Sequence, residues 1–324
     1  MAVNVEIPTR ILIISDTHGM GFTPYSGSCD VAIHCGDLTD GSKLEEFKTT
    51  IRILETIDAP LKLIIAGNHD FTLDIPAFKK KVAESSTDLE PELVAREYGT
   101  YGEVEELFKK ARSAGIQLLD EGTHYFSLEN GAKLKVYASP YTPSLGDWGF
   151  QYNPNNGHDF SIEEGTDVVI THGPPKGILD YSSNRERAGC PILFQEIARK
   201  RPLLHCFGHI HEGWGARQVT WRPHISDTPS HFTDIDNENS FLVENLSRLT
   251  KSRFDTIDDL NEKQKKLQLY EAQKFCATSH CNTDPSPLIR GKQTLFVNAA
   301  VSGTEELPFQ PLWLVNIELP KAVQ

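Results

Sequence analysis

The stretch "LIIAGNHDF", residues 63–71, leads from a buried-looking strand directly into three polar side chains. Four apolar residues are followed by Gly67, which allows the backbone to turn sharply. Asn68, His69 and Asp70 then arrive where the chain leaves the core. On its own the stretch fits a turn as well as a functional site, because Asn, Asp and Gly are common turn residues. The other strand-like segments are needed to distinguish a turn from a functional site.

The rest of the chain alternates between predicted strands and predicted helices. Ser42 and Glu45 predict a capping box before one amphipathic helix, and apolar residues from Val104 to Ala111 predict another, which ends at Gly115. Eight apolar segments have the length and β-branched content of buried strands: residues 10–16, 31–37, 61–68, 133–140, 167–173, 203–209, 294–300 and 312–319. This alternation predicts an α/β fold with helices outside the sheets.

Composition limits the classes of function. With 324 residues and 39% hydrophobic content, the chain is long enough to bury a large core. A net charge of -13 argues against capture of long nucleic acids or anionic membranes. The apolar run at residues 11–14 is followed at once by Asp16 and His18, so it predicts neither a signal peptide nor a membrane span. Six scattered cysteines predict reduced thiols and a cytoplasmic location.

Residues 217–292 differ from the rest because their hydrophobic pattern thins. The segment carries 11 acidic and 11 basic residues and one predicted helix, within residues 259–275. We interpret it as a long, partly disordered insertion within a single domain that spans residues 1–324. Its Cys276, His280 and Cys281 are too few and too isolated to predict a zinc site.

The predicted strands share a feature at their ends, where residue types that bind metals occur repeatedly. Seven such residues stand at these ends: Asp16, His18, Asp37, Asn68, His172, His209 and His211. Because the carboxyl ends of parallel strands meet at one edge of a sheet, we expect these side chains to converge. The set has no thiolate, which favours Mn, Fe or Zn in a reactive site over a structural zinc. Seven ligands are too many for one ion, so they predict two ions that share the Asp37 carboxylate.

Each of these residues taken alone has an ordinary explanation. Asp16 or Asp37 is typical of a turn or a cap, and His172 of a hydrogen-bonded loop. The set as a whole favours a site, because five strand ends in order carry suitable ligands with glycine nearby. Three other histidines lie within their segments rather than at the ends, and we interpret them as structural: His34, His124 and His205.

The order of motifs D-x-H, G-D, G-N-H-D, T-H-G and G-H-x-H resembles that of the calcineurin-like metallophosphoesterase superfamily. Segments such as "VVITHGPPKGILDYSS" and "LLHCFGHIHEGWG" are similar to its metallophosphoesterase-domain-containing branch, which includes class III phosphodiesterases. The resemblance covers about residues 9–216 and 293–320. It implies a four-layer α/β/β/α sandwich that binds two divalent ions, with Mn²⁺ favoured and Fe or Zn as alternatives.

The resemblance also implies roles for individual residues. One ion is expected on Asp16, His18 and His211, the other on Asn68, His172 and His209, and Asp37 between them. His69 is expected to act as the general acid, with Asp70 helping to orient it. Animal members carry glutamate at the position of Asp70, and some carry glycine at that of His209. Both histidines of "GHIH" are present here, which implies a fully loaded site.

The predicted activity is hydrolysis of a small phosphate ester by a hydroxide that bridges two ions. A phosphodiester is favoured, with nucleotides and cyclic nucleotides among the candidates. The alternatives are a phosphomonoesterase and a non-catalytic scaffold, whose marker would be the loss of a ligand. A structure-specific nuclease would need a basic groove, which the net charge of -13 does not suggest. Oligomeric state is not predicted. Four aromatic residues and two arginines near the motifs are candidates for substrate contacts: Tyr141, Trp148, Phe150, Trp214, Arg185 and Arg187.

Overall fold

Two sheets contain most of the strands of this protein. The computed structural model describes residues 5–21, 25–85, 90–303 and 307–322. The α-helices in these residues are α1 (Leu44–Thr56), α2 (Ile75–Ala83), α3 (Pro91–Tyr98), α4 (Glu103–Ala111), α5 (Pro191–Lys200) and α6 (Ile257–Gln273). The strands are β1 (Glu6–Ile14), β2 (Val31–His34), β3 (Leu61–Ile64), β4 (Ile116–Leu118), β5 (Gly122–Ser127), β6 (Lys133–Ser139), β7 (Thr142–Pro143), β8 (Gln151–Tyr152), β9 (Val168–Thr171), β10 (Leu204–Phe207), β11 (Gly215–Trp221), β12 (Ile235–Asn245), β13 (Phe275–Ser279), β14 (Gln293–Asn298) and β15 (Leu312–Pro320).

Parallel strands form the middle of both sheets. The first sheet has the order β13-β15-β1-β2-β3-β4, in which β1 to β4 are parallel and β15 runs antiparallel to β1. The second has the order β12-β11-β14-β10-β9-β6-β5, in which β14, β10, β9 and β6 are parallel. The carboxyl ends of the parallel strands therefore lie together at one edge of each sheet.

The two sheets pack face to face with helices outside them. Alternate residues of β1 point to opposite faces, so Ile11 joins the core between the sheets while Leu12 packs beneath the helices. Helices α1 and α4 cover the outer face of the first sheet, and α5 covers that of the second. The predicted four-layer α/β/β/α sandwich is confirmed. Each of the eight predicted strand segments contains a strand, and the three predicted helices are present as α1, α4 and α6.

The predicted capping box of α1 is wrong by one residue. The helix begins at Leu44, and the carboxylate of Glu46 accepts a hydrogen bond from the backbone N–H of Lys43 at 2.8 Å. Ser42 cannot cap the helix because its hydroxyl is buried 2.8 Å from the Thr72 hydroxyl. Glu45 is left at the surface, where its carboxylate pairs with Lys48.

Residues 217–292 extend both sheets. They contribute β12 to the edge of the second sheet and β13 to the edge of the first, with α6 between them. Edge strands and an exposed helix need few apolar side chains, which explains why apolar residues are sparse in residues 217–292. The assignment of this segment as an insertion in a single domain stays a prediction. No helix among the described residues is long and apolar enough to cross a membrane.

Gly115, after α4, gives a stability prediction. Its backbone has φ of +76°, and a Cβ there would lie 2.3 Å from the carbonyl oxygen of Pro60. We expect Gly115→Ala to lower the free energy of unfolding by about 3 kcal/mol, combining left-handed strain with the steric clash. Gly131→Ala is the matched control, because Gly131 also has positive φ, +89°, but no atom of the described part of the chain lies within 4 Å of its missing Cβ. Urea denaturation would measure both, and an equal loss would contradict the clash.

Candidate metal centre

Sharp turns at the ends of five parallel strands bring the predicted ligands together. β1, β2 and β3 of the first sheet end next to β9 and β10 of the second. Four of the predicted ligands have left-handed backbones: Asp16 (φ 54°), His18 (φ 47°), Asp37 (φ 52°) and His209 (φ 65°). Such conformations cost roughly 1–3 kcal/mol each and are concentrated at functional sites. These strained turns direct the side chains of the four residues into the pocket.

Asp16, His18 and His211 form the first group of donor atoms. One potential ligand atom from each residue lies within 4.8 Å of the others. The Nε2 atoms of His18 and His211 are 3.3 Å apart, and His211 Nε2 is 3.4 Å from Asp16 Oδ1. The three residues predicted to hold one ion therefore converge on one point.

Asp37, His172 and His209 form the second group of donor atoms, again within 4.8 Å. His172 Nε2 lies 3.3 Å from Asp37 Oδ1 and 2.9 Å from Asn68 Oδ1. Its other nitrogen, Nδ1, is 2.9 Å from the carbonyl oxygen of Cys35, to which it donates. This hydrogen bond leaves Nε2 as the ligand atom, which is how metal-binding histidines are commonly oriented.

Asp37 connects the two groups. A third set of neighbouring donor atoms joins Asp37 to His18 and His69, so the carboxylate of Asp37 lies between the His18 side and the His172 side of the pocket. This is the position that a bridging ligand requires. The structure thus brings all seven predicted ligands together, while their binding of metal stays a prediction.

The charges in the pocket fit a pair of cations. Asp16 and Asp37 are buried, with 0% and 2% of their surface exposed, and neither has a lysine or arginine ion-pair partner among the described residues. Burial works to lower the pKa of His172, but the carboxylates of Asp37 and Asp16 and the Cys35 carbonyl together outweigh it and raise the pKa to about 9. The pocket therefore favours positive charge beside Asp37. Buried carboxylates need such compensation, and divalent ions held by oxygen and imidazole ligands supply it.

Gly208 is essential to the shape of the first donor group. A Cβ at this position would lie 1.9 Å from Asp16 Oδ2 and 2.1 Å from the Ser15 hydroxyl oxygen. The next residue, His209, donates its backbone N–H to both oxygens of Asp16 at 3.0 Å. Only glycine therefore lets this loop approach the Asp16 carboxylate.

We expect Gly208→Ala to weaken metal binding by about 10- to 100-fold, because it displaces Asp16. Gly21→Ala is the control, since no atom of the described residues lies within 4 Å of the missing Cβ of that glycine. Titration of metal-free protein with Mn²⁺ would compare the two. Equal affinities would show that the loop accommodates a side chain at Gly208.

His69 lies beside the donor groups and is held from several directions. Its Nδ1 is 2.5 Å from the carbonyl oxygen of Asp40, and its backbone N–H donates to Asp37 Oδ1 at 2.8 Å. Its ring is 4.8 Å from the ring of His18 and 4.2 Å from that of Trp148. The role of Asp40 was not predicted from the sequence, although it follows Asp37 within the same loop, "GDLTD". The contact with Asp40 uses Nδ1 of His69 and does not involve Nε2.

Asp70 supports the loops rather than the imidazole of His69. Its carboxylate accepts hydrogen bonds from the backbone N–H groups of Gly67, Leu38 and Thr39, at 2.8 to 3.0 Å. The Thr39 hydroxyl donates a fourth. Burial and the charge of Asp37 raise the pKa of Asp70 to about 7, although all four partners are donors that favour the carboxylate. Asp70 therefore ties the Asp37 loop to the His69 loop, and its contribution to catalysis stays a prediction.

The residues suggested as substrate contacts have different environments. Trp214 is fully buried and stacks on Trp313 with ring centroids 5.1 Å apart, so its suggested role in ligand stacking is wrong. Trp148 is 37% exposed beside His69. The rings of Tyr141 and Phe150 contact each other, with their centroids 5.8 Å apart. Among the arginines, Arg187 pairs with the buried Asp180 at 2.8 Å.

The histidines interpreted as structural lie outside the donor groups. His34 and His205 are buried and make hydrogen bonds with threonine hydroxyls, and burial lowers the pKa of each to about 3. His124 lies on β5. His280 makes its hydrogen bonds with Thr278 and Ser286, and no metal-binding group of the described residues includes it.

Known proteins have sequences similar to part of this chain. A protein of Emericella nidulans named probable rhamnogalacturonate lyase C is 34% identical over 215 residues, which are 65% of this chain and 18% of that protein. Human metallophosphoesterase domain-containing protein 1 is 32% identical over 216 residues, 64% of this chain and 62% of the human one. A UPF0046 protein of Caenorhabditis elegans is 30% identical over 217 residues, 64% of this chain and 52% of the nematode protein.

The aligned part is thus less than two thirds of each of these relatives. The family model described as "calcineurin-like phosphoesterase" matches residues 9–213, which include all seven predicted ligands together with His69 and Asp70. This match covers more than half of the chain and agrees with the two-sheet fold and the pocket at the strand ends. The chain belongs to the calcineurin-like phosphoesterase family.

Proposed function

We propose that this protein is a dinuclear metal-dependent phosphodiesterase that acts on small phosphate esters. The observation that carries the proposal is the position of Asp37, whose carboxylate lies within reach of both donor groups. Mn²⁺ is the favoured metal, because carboxylate, imidazole and amide oxygen ligands suit it. When bound, two such ions would neutralise the phosphate and lower the pKa of the attacking water.

The residues of the chain divide the remaining tasks. When both ring nitrogens of His69 carry a proton, Nδ1–H donates to the Asp40 carbonyl and the proton on Nε2 is available for the leaving oxygen. Asn68, within hydrogen-bond distance of His172, completes the second donor group with an uncharged oxygen. Asp70 and its four hydrogen bonds fix the Asp37 loop relative to the His69 loop. These contacts preorganise the site before substrate arrives.

The preference for diesters rests on the resemblance to class III phosphodiesterases. The proton donor suits any ester with an alkoxide leaving group, because an alkoxide leaves poorly without a proton. The net charge of -13 supports a small substrate over a long nucleic acid. The six cysteines are buried and unpaired, which supports a reducing compartment such as the cytoplasm.

The test compares hydrolysis of bis-p-nitrophenyl phosphate and p-nitrophenyl phosphate by protein reconstituted with Mn²⁺, with bound metal measured. We expect two ions per chain and a higher kcat/KM for the diester. A higher value for the monoester would favour a phosphomonoesterase. A chain that holds two ions and cleaves neither ester would favour a scaffold.

A further inference from the structure

The indole of Trp148 packs against the imidazole that we assign as the proton donor. The ring centroids of Trp148 and His69 are 4.2 Å apart with an angle of 32° between the planes. The ammonium of Lys81 lies 5.0 Å from the indole centroid and 3.3 Å from Asp147 Oδ2. Trp148 is thus flanked by His69 and Lys81, although 37% of it is exposed.

The loop that carries Trp148 is fixed to the loop that carries His69. The backbone N–H of Gly149 donates to the carbonyl oxygen of Asn68 at 3.0 Å. A Cβ on Gly149 would lie 2.7 Å from the Cα of Phe71, so the two backbones pack without a side chain between them. The N–H of Phe150 donates to Asp74 Oδ2 at 2.8 Å. The position of Trp148 relative to His69 is therefore set by contacts of the two residues that follow it, Gly149 and Phe150.

The His69 ring needs such a contact to hold its plane. The hydrogen bond from Nδ1 to Asp40 fixes one point of the imidazole but permits the ring to tilt about it. The ring of His18 meets His69 edge-on, at 4.8 Å. The indole stacks on the imidazole, and such aromatic pairs have preferred geometries.

We infer that Trp148 is a positioning residue that holds the His69 imidazole in the orientation needed to protonate the leaving oxygen. This inference rests on the proposed function. It also assigns the indole a role other than binding a base of the substrate, because one of its neighbours is already His69. Loss of Trp148 should then lower kcat most for esters whose leaving group most needs protonation.

The experiment uses two diesters that differ only in the leaving group, methyl p-nitrophenyl phosphate and methyl phenyl phosphate. Phenol is the weaker acid and leaves less readily without a proton. We expect Trp148→Ala to lower kcat on the phenyl ester by about tenfold and to leave kcat on the nitrophenyl ester unchanged. The tenfold loss is part of the 10²–10⁴-fold that general acids contribute. KM and bound metal should not change, and Trp148→Phe should restore most of the rate.

Two controls separate positioning from damage to the fold. Phe254→Ala removes an aromatic ring that is 78% exposed and whose ring contact is with Arg253, and it should change neither rate. In a His69→Ala background, Trp148→Ala should cause no further loss on either ester. Equal losses on both esters, or a further loss without His69, would overturn the inference.

A structural readout does not depend on turnover. The ring protons of His69, assigned by their absence in His69→Ala, should carry a ring-current shift that disappears in Trp148→Ala. Its persistence would show that the rings do not stack in solution and would overturn the inference. If the metal-loaded wild type cleaves neither diester, the proposed function fails and the positioning role fails with it, whatever the ring-proton shifts show.

Discussion

Asp37→Asn is expected to reduce the bound metal below two ions per chain and to lower kcat on bis-p-nitrophenyl phosphate by about a thousandfold or more. The carboxylate of Asp37 lies between the two donor groups and also accepts the backbone N–H of His69 at 2.8 Å. An amide keeps the size of the side chain but removes the charge that both cations need. Both metal content and rate should therefore fall together.

Asp167→Asn is the matched control for Asp37. Asp167 is also buried, with 4% of its surface exposed, but it stands before β9 and pairs with Arg290 at 2.7 Å. We expect this variant to lose stability while it keeps two ions per chain. Metal analysis and thermal unfolding of the two variants would distinguish loss of a bridge from loss of fold. Two ions per chain in Asp37→Asn with near-normal activity would rule out the bridging role.

His69→Ala should lower kcat by about 10²–10⁴-fold on esters with poor leaving groups, which is the usual contribution of a general acid. Bound metal should stay at two ions per chain, because Asp37, His172 and His209 still form the second group without the His69 side chain. The loss should shrink for p-nitrophenyl esters, whose leaving group needs little protonation. The measurement is kcat for a series of diesters of increasing leaving-group basicity.

His124→Ala is the control for removal of an imidazole. The Nε2 of His124 contacts the carbonyl oxygen of Asp120, away from the donor groups, so this variant should keep full activity. A uniform loss in His69→Ala across the series would contradict the proton-donor role. Loss of an ion from the same variant would instead show that His69 is a metal ligand. This alternative is specific, because potential ligand atoms of His69, His18 and Asp37 lie within 4.8 Å of one another.

Local sequence was sufficient to predict the α/β class and most of its buried strands, whereas the four-layer arrangement was implied by the family resemblance. Buried parallel strands are apolar on both faces, so segments such as residues 61–68 and 167–173 stand out from their surroundings. Elements at the edges were harder to recognise. β12 and β13 bury few side chains, and their backbone pairing with the sheets leaves little trace in composition. The start of α1 was misplaced because Ser42 is buried against Thr72, a contact made far along the chain.

The candidate site also has some residues that the sequence predicted and others that only the tertiary structure showed. Sequence by itself determined the donor types, because Asp16, Asp37, Asn68, His172 and the "GHIH" pair all follow strands whose carboxyl ends lie at one edge of each sheet. Only the tertiary structure decided that Asp40 holds His69, that Trp214 is buried and that Trp148 stacks on the imidazole. Those contacts join loops distant in sequence, and their geometry is set by packing between the sheets, which no local pattern encodes.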